Sequence, residues 1–200
     1  MLKAYYQIST YKKNEKLKKK YPKKLSRSFV KQFLQHLYTK IANTGFILNI
    51  DGVSKENRAN YFFDTTGWGG DGCSTDRSGY AKPYAYESIQ VGTGTNAVST
   101  TDYCLQANIL HGSSAGQLEQ IALWTSNLTF SGSTGSFDIE KLFYNSSGSP
   151  ITIEELGIYN AFAYSKREWM CSIRDVLGAS HVEVLAGEYL KVKYTIQITA

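Results

Sequence analysis

The chain has 200 residues, 42% of them hydrophobic and 20% charged, with a formal net charge of +5. That length and apolar content suit one sizeable domain, with or without an arm, and exclude a chain too polar to bury a core. No apolar run approaches the roughly 18 residues of a membrane-spanning helix, and Lys12 and Lys13 interrupt any apolar leader, so neither signal-peptide export nor membrane insertion is expected.

The charge is unevenly placed. Residues 1–40 carry 12 Lys and Arg against one acid, Glu15, while the other 160 carry 10 against 16 acids. A basic segment on a mildly acidic body points to an anionic partner for that segment. The three Cys (Cys73, Cys104 and Cys171) are far apart and form no Cys-x-x-Cys. They read as packed free thiols, not as zinc ligands or a redox pair.

In chain order, Ala4–Tyr11 is aromatic and β-prone, able to join its own sheet or a neighbour's. Lys12, Lys13, Lys16, Lys18, Lys19, Lys20, Lys23 and Lys24 follow as a block of like charge that needs solvent or a partner. Pro22 stops any helix there. Ser26 or Ser28 can cap a helix running to about Ala42, ended by Asn43-Thr44-Gly45. Phe29, Phe33 and Leu37 form one apolar row on it, and Val30, Leu34, Tyr38 and Ile41 the adjacent one. This stripe packs on the chain's own sheet or docks on another subunit.

Phe46–Ile50 is a strand candidate. Residues 51–87 are the least regular stretch. Their loop Gly67-Trp68-Gly69-Gly70-Asp71-Gly72 lacks the Lys-Ser/Thr of a phosphate cradle. Asp64, Asp71 and Asp76 lack calcium-loop spacing. Strands are expected at Ser88–Thr93, Leu118–Phe130 (one long strand or two), Phe137–Tyr144, Ile151–Tyr159 and Trp169–Leu177, joined by Gly, Ser and Asn turns. Residues 103–109 read as a helical turn or a strand. The clearest element is Leu190–Thr199. Leu190, Val192, Tyr194, Ile196 and Ile198 share one face, and Lys191, Lys193, Thr195, Gln197 and Thr199 the other. With Val182–Val184 and a turn at Gly187 it reads as a β-hairpin.

The fold expectation is therefore mainly β. An antiparallel β-sandwich or jelly-roll-like domain spans residues 46–200, preceded by a basic arm (1–25) and one amphipathic helix (26–45). Truncation before Ser26 should on this reading leave the body folded.

Chemistry is sparse. The Gly92-Thr93-Gly94 stretch lacks a dinucleotide loop's third glycine. His111, near Ser113, Ser114 and Asp102, has no nucleophile-elbow motif beside it. Glu154 and Glu155 are adjacent on a strand and should point to opposite faces. The Asn127 and Asn145 sequons carry weight only in an exported chain. No catalytic residue, metal ligand or cofactor is assigned. The expected partner-binding residues are the eight lysines from Lys12 to Lys24 together with Phe29, Phe33 and Leu37.

Four stretches, IQVGTGTNAVSTTDYCL (Ile89–Leu105), FYNSSGSPITIEELGIY (Phe143–Tyr159), IRDVL (Ile173–Leu177) and VEVLAGEYLKVKYTIQI (Val182–Ile198), resemble a loosely defined group of small structural proteins of tailed viruses, of phages or archaea. RSFVKQFLQHLY (Arg27–Tyr38) is similar to the start of the same group. The Lys-rich tract before Pro22 and the loop around Cys73 depart from it. The resemblance implies a virion component made in the host cytoplasm, without fixing its place in capsid or tail. It brings no functional residue to this chain. The reading is thus a non-enzymatic virion protein with other particle proteins or copies of itself as partners, and nucleic acid as a further partner of the lysines. The alternative is a tail or fibre module that binds a receptor or carbohydrate.

Overall fold

The computed structural model describes residues 1–26, 28–42, 46–56, 88–163 and 167–200. The first part of the chain forms β1 (Leu2–Tyr11), β2 (Leu17–Lys20), β3 (Lys24–Ser26), the helix α1 (Lys31–Ala42), β4 (Phe46–Leu48) and β5 (Ser54–Glu56). The middle forms β6 (Ser88–Gly92), β7 (Glu119–Thr125), β8 (Thr129–Ser131) and β9 (Thr134–Tyr144). The last part forms β10 (Ile151–Ile153), β11 (Glu155–Ala163), β12 (Arg167–Val176), β13 (Val182–Val184) and β14 (Tyr189–Thr199). The architecture is mainly β, antiparallel and sandwich-like, with a single helix among the described residues.

One layer is a sheet in the order β2-β1-β14-β9-β7, with β3 also pairing β1 and β8 also pairing β9. The facing layer holds the sheet β12-β11-β6 and the short ladder β10-β13. Period-two burial explains why they stack. Ala4, Tyr6 and Ile8 of β1 and Leu190, Val192 and Tyr194 of β14 are buried in one cluster. They meet Ile89 and Val91 of β6, Leu156 and Ile158 of β11, Ile173 of β12 and the two Val of β13. On the far side of β11 a smaller core gathers Val30, Leu105, Tyr159 and Cys171. There the segment after β6 and the start of α1 form a third, partial layer.

Three expectations change. First, Val182–Thr199 is not a hairpin, because β13 pairs β10 whereas β14 pairs β1 and β9. The turn is instead a corner between layers, since Val182, Val184, Leu190 and Val192 are all buried from opposite sides of the core. Asn145 holds that corner. Its Nδ2 donates to Val184 O and Ser149 O, both at 2.8 Å, its backbone N–H donates to Glu188 O, and its carbonyl accepts from Gly187 N. Gly187 takes φ +78° there, which glycine adopts without a Cβ penalty. The Asn145 amide is therefore buried and engaged.

Second, residues 1–25 are not a separate tether. All of β1 pairs with β14, from Leu2↔Ile198 to Tyr11↔Tyr189. The lysine block is pleated onto the other side of β1 as β2 and β3. The sandwich thus begins at residue 2, not at residue 46.

Third, the helix starts at Lys31, not at Ser26 or Ser28. Ser26 lies in β3, Phe29 bridges Ile173, and Val30 N donates to Ser172 O at 3.1 Å. The backbone of 28–30 is thus already committed to the edge of β12. Smaller findings are a loop at 103–109, where a helical turn or a strand is expected, and a bulge in β7 between Gln120 and Ala122. The expected helix end at 43–45, the Gly67–Gly72 loop, Asp64, Asp71, Asp76 and Cys73 lie outside the described residues.

Tyr194 is fully buried and donates from its hydroxyl to Asp175 Oδ2 at 2.9 Å, and Tyr6 packs against it at 6.1 Å between ring centroids. Burial first, and then the Asp175 charge, raise the pKa of both phenols. Tyr159 is raised as well, chiefly by burial.

Two outcomes follow from this packing. Deleting residues 1–25 removes Ala4, Tyr6 and Ile8 from the core; at about 1.5–3 kcal/mol for each large side chain and a typical total of about 5–15 kcal/mol, the truncated chain is expected to be unfolded or insoluble. Soluble expression with native circular dichroism after the deletion would refute the placement of β1. Alkali is the second probe. An acid whose folded pKa is raised contributes fully below its unfolded value, here 10.0 for Tyr, and that contribution fades as pH climbs from there toward the folded value. Stability should therefore fall above about pH 10. Phenolate absorbance of Tyr6, Tyr159 and Tyr194 should appear only together with the loss of ellipticity.

Candidate functional site

The densest polar constellation among the described residues surrounds Arg174 of β12. Its Nε donates to Glu155 Oε2 at 2.8 Å, Nη1 to Asp102 Oδ2 at 2.8 Å and Nη2 to the carbonyl of Asn96 at 3.1 Å. The Arg174 side chain is 3% exposed and that of Glu155 0%. Burial pulls the guanidinium pKa down, but hydrogen bonds and charge from Asp102 and Glu155 raise it above its ordinary value. Arg174 therefore stays charged.

Glu155 does more than pair. Its Oε1 accepts Ala107 N at 2.7 Å and Gly94 N at 3.1 Å, and its Oε2 accepts Gln106 N at 3.1 Å. The carboxylate thus satisfies three backbone donors of a segment that has no ladder of its own. The two glycines of Gly92-Thr93-Gly94 are required here. A Cβ at Gly92 would lie 2.5 Å from Ala107 O and 2.6 Å from Glu155 Oε1, and one at Gly94 would overlap the same carboxylate. The motif makes room for a buried acid, which is why it has no third glycine.

Around this node lies a cleft of about 340 Å³, lined by Asn96, Thr101, Asp102, Cys104, Gln106 and Arg174 among others. The donors and acceptors seen on its wall are mostly engaged: Asp102 Oδ2 also accepts Ser99 N at 2.8 Å, and Gln106 Oε1 accepts Asn96 N at 2.8 Å. Burial raises the pKa of Cys104 and Cys171, which keeps both as thiols. Both are free cysteines. The node is built to hold a loop.

The residues with a catalytic look are dispersed. Asp102 is held by Arg174, whereas the Nδ1 of His111 accepts Gln120 N at 3.0 Å and so closes the first part of β7. Glu154 and Glu155 do not share a strand: Glu155 opens β11 and is buried, whereas Glu154 lies in the break between β10 and β11 and is half-exposed. Among the described residues no three His, Cys, Asp or Glu side chains are grouped to hold a metal ion. Nor is any helix among them long and apolar enough to cross a membrane.

The expected partner-binding residues fall into two groups. Lys12, Lys13, Lys16, Lys18, Lys19 and Lys20 are exposed on β2 and on the turn before it. Lys18 pairs with Glu188 at 2.8 Å, Lys19 lies 4.3 Å from the centre of the Tyr21 ring, Lys23 lies 4.7 Å from that of Tyr5, and Lys24 donates to the Ser180 hydroxyl. Phe29, Phe33 and Leu37 are half-buried, with Phe29 and Phe33 in ring contact at 4.7 Å. The adjacent row does not follow the pattern. Val30 is buried, but Leu34 and Tyr38 are 65% and 63% exposed, while Gln32 and His36 face inward.

Sequence reasoning missed the outer face of the large sheet. Tyr11, Tyr189 and Tyr144 stand opposite one another on β1, β14 and β9. Beside them Lys191 pairs with Glu140 at 3.3 Å and Lys193 with Asp138 at 3.1 Å. The alternation of Leu190–Thr199 gave the face of each of these residues, but not its cross-strand neighbours. No family model, characterised protein or solved structure matches the chain.

Replacing Arg174 by Met strands the Glu155 carboxylate in the interior. Breaking such a buried pair costs about 3–5 kcal/mol, so the urea midpoint should fall sharply. A midpoint within error of the parent would mean that the pair is not buried.

Proposed function

We propose that the chain is a non-enzymatic structural protein of a virus particle that joins copies of itself side by side. What supports this reading is the unequal treatment of its sheet edges. The edge of β12 is occupied: Phe29 bridges Ile173, Arg174 N donates to Ser28 O and Ile50 N to Trp169 O. The edge of β6 is occupied too, since Thr93 N donates to Ala107 O and Ile109 N to Val91 O. The β2 edge carries lysines, a common guard against strand addition.

The β7–β8 edge has no such guard beyond Gln120. From Gln120 to Phe137 the chain bears no charged residue. Trp124, Leu128 and Phe130 are 49%, 58% and 75% exposed. The core-side face of the sheet also runs past its cover here, where Leu2, Ile198, Gly135 and Phe130 stand in one cross-strand row. Ile198 and Leu2 are themselves exposed. An uncharged apolar corner meets its own copy without like-charge repulsion, as an isologous interface requires. The resemblance to tailed-virus structural proteins gives this surface its setting.

The carbohydrate-binding alternative would rest on the tyrosine row. The Tyr144 and Tyr189 rings pack on each other at 4.7 Å, and Lys191 lies 5.8 Å from the centre of the Tyr11 ring. These contacts leave less open ring face for a sugar.

The test is mass. Light scattering at rising concentration should show oligomers of the parent chain, and Leu128→Lys with Phe130→Lys should lower their affinity at least tenfold while leaving circular dichroism unchanged. A parent that stays monomeric at high concentration, or absence of the chain from purified particles of the virus encoding it, would overturn the reading.

A further inference from the structure

We infer that the β1–β2 hairpin is a sequence-independent binding site for the phosphate backbone of nucleic acid. This inference does not rest on the assembly reading, since it uses the opposite edge of the sheet.

The hairpin is ordered, not a loose tail. Lys12 N donates to Lys16 O at 2.9 Å and Glu15 N to Lys12 O at 2.8 Å, with Glu15 at φ +62°. Beyond the turn, β2 pairs with β1, Tyr11 opposite Leu17 and then, past a bulge at Lys18, Thr10 opposite Lys19 and Ser9 opposite Lys20. Positions 12–20 are exposed throughout. Lys12, Lys13, Lys16 and Lys20 have no side-chain hydrogen bond or ion pair within the described structure. Four lysines with no ion pair among the described residues thus share one short hairpin, and their mutual repulsion falls when an external anion meets them. Because the ribbon is already ordered, little conformational entropy is lost on binding.

The chain's own acids are poor candidates for that anion. Glu155 and Asp102 hold Arg174, Asp138 and Glu140 hold Lys193 and Lys191, Asp175 accepts from Tyr194, and Glu188 holds Lys18. Of the other described acids Glu154 and Glu183 have no side-chain partner, so a second copy offers these lysines a few carboxylates and not a dense array. A polyanion of regular, dense charge fits better, since β2 is an outer strand of the sheet and its lysines are exposed. Base reading is not expected. The ribbon has no Arg, and the Oδ1 of Asn14 accepts Lys16 N at 3.3 Å. Lysines as point charges position a backbone but carry no sequence information.

The experiment measures fluorescence anisotropy of a labelled mixed-sequence DNA duplex with the full chain, from 50 to 200 mM NaCl. Four lysine–phosphate contacts predict a slope of log K against log salt near −3.6, hence an affinity loss of roughly 100-fold across that range. Lys12→Gln, Lys13→Gln, Lys16→Gln and Lys20→Gln combined should weaken binding at least tenfold at 50 mM and flatten the slope. The melting temperature should not fall, since those side chains have no partner among the described residues. The four Lys→Arg changes should retain binding. No binding by the parent, an unchanged slope in the Gln variant, or competition by polyglutamate equal to that of DNA at matched charge would each overturn the inference. The last outcome would point to an acidic protein surface instead.

Discussion

Strand β14 is hydrogen-bonded on both sides along nearly its whole length, to β1 from Tyr189 to Ile198 and to β9 from Tyr189 to Thr199. A strand so placed has no edge, so its register fixes the face of every side chain on either flank. Leu190, Val192 and Tyr194 point inward, and they carry Thr10, Ile8 and Tyr6 with them. A one-residue slip would bury Lys191 and Lys193 and detach them from Glu140 and Asp138. The hydrophobic face and the ion-paired face thus enforce the same register. That agreement also holds the first and last strands of the chain together.

The second layer meets a different constraint. Behind it runs a long connection, from Thr93 to Leu118, with only isolated bridges to neighbouring elements. Its polar backbone must still be satisfied. One buried carboxylate and one guanidinium do much of that work, and neither is stable alone. Glu155 has Arg174 as its counter-charge in the interior, and Arg174 needs Asp102 and the Asn96 carbonyl for its remaining donors. The pair is therefore an organiser of a loop wall. Its chemistry resembles that of a site, but its hydrogen bonds are already made.

The parts of this fold written in local periodicity could be read directly. Alternation in Leu190–Thr199 marks β14, and the same signal marks most strands of the body. Long-range pairing is not local, and there the reading failed in instructive ways. Val182–Val184 and Leu190–Thr199 alternate in succession, which favours a hairpin. What separates them is the Asn145 amide, distant in sequence, at a corner where both faces are apolar. Gly92-Thr93-Gly94 looked like a failed nucleotide motif because its partner, Glu155, is 61 residues from Gly94. The lysine block suggested a tether because like charges repel, yet alternation within Ala4–Tyr11 already allowed a strand of the chain's own sheet. The helix shows the limit of amphipathic patterning: Phe33 and Leu37 follow the stripe, but Leu34 and Tyr38 do not.

The large sheet ends differently at its two edges, and the difference has a physical consequence. Lysines on β2 oppose the approach of another copy's β2, because like charges facing across a ladder repel. The uncharged stretch on β7 and β8 has no such term, and its exposed aromatic side chains favour contact with apolar surface. Association through one edge therefore leaves the other free. If β7–β8 edges meet about a two-fold axis, the two lysine ribbons lie at opposite ends of the joined sheet. A pair so formed is closed with respect to its apolar edge and carries a cationic ribbon at each extremity. On the two proposals together, a pair of weak electrostatic contacts on one rigid body would act jointly on a long polyanion, with an effective concentration set by their fixed separation.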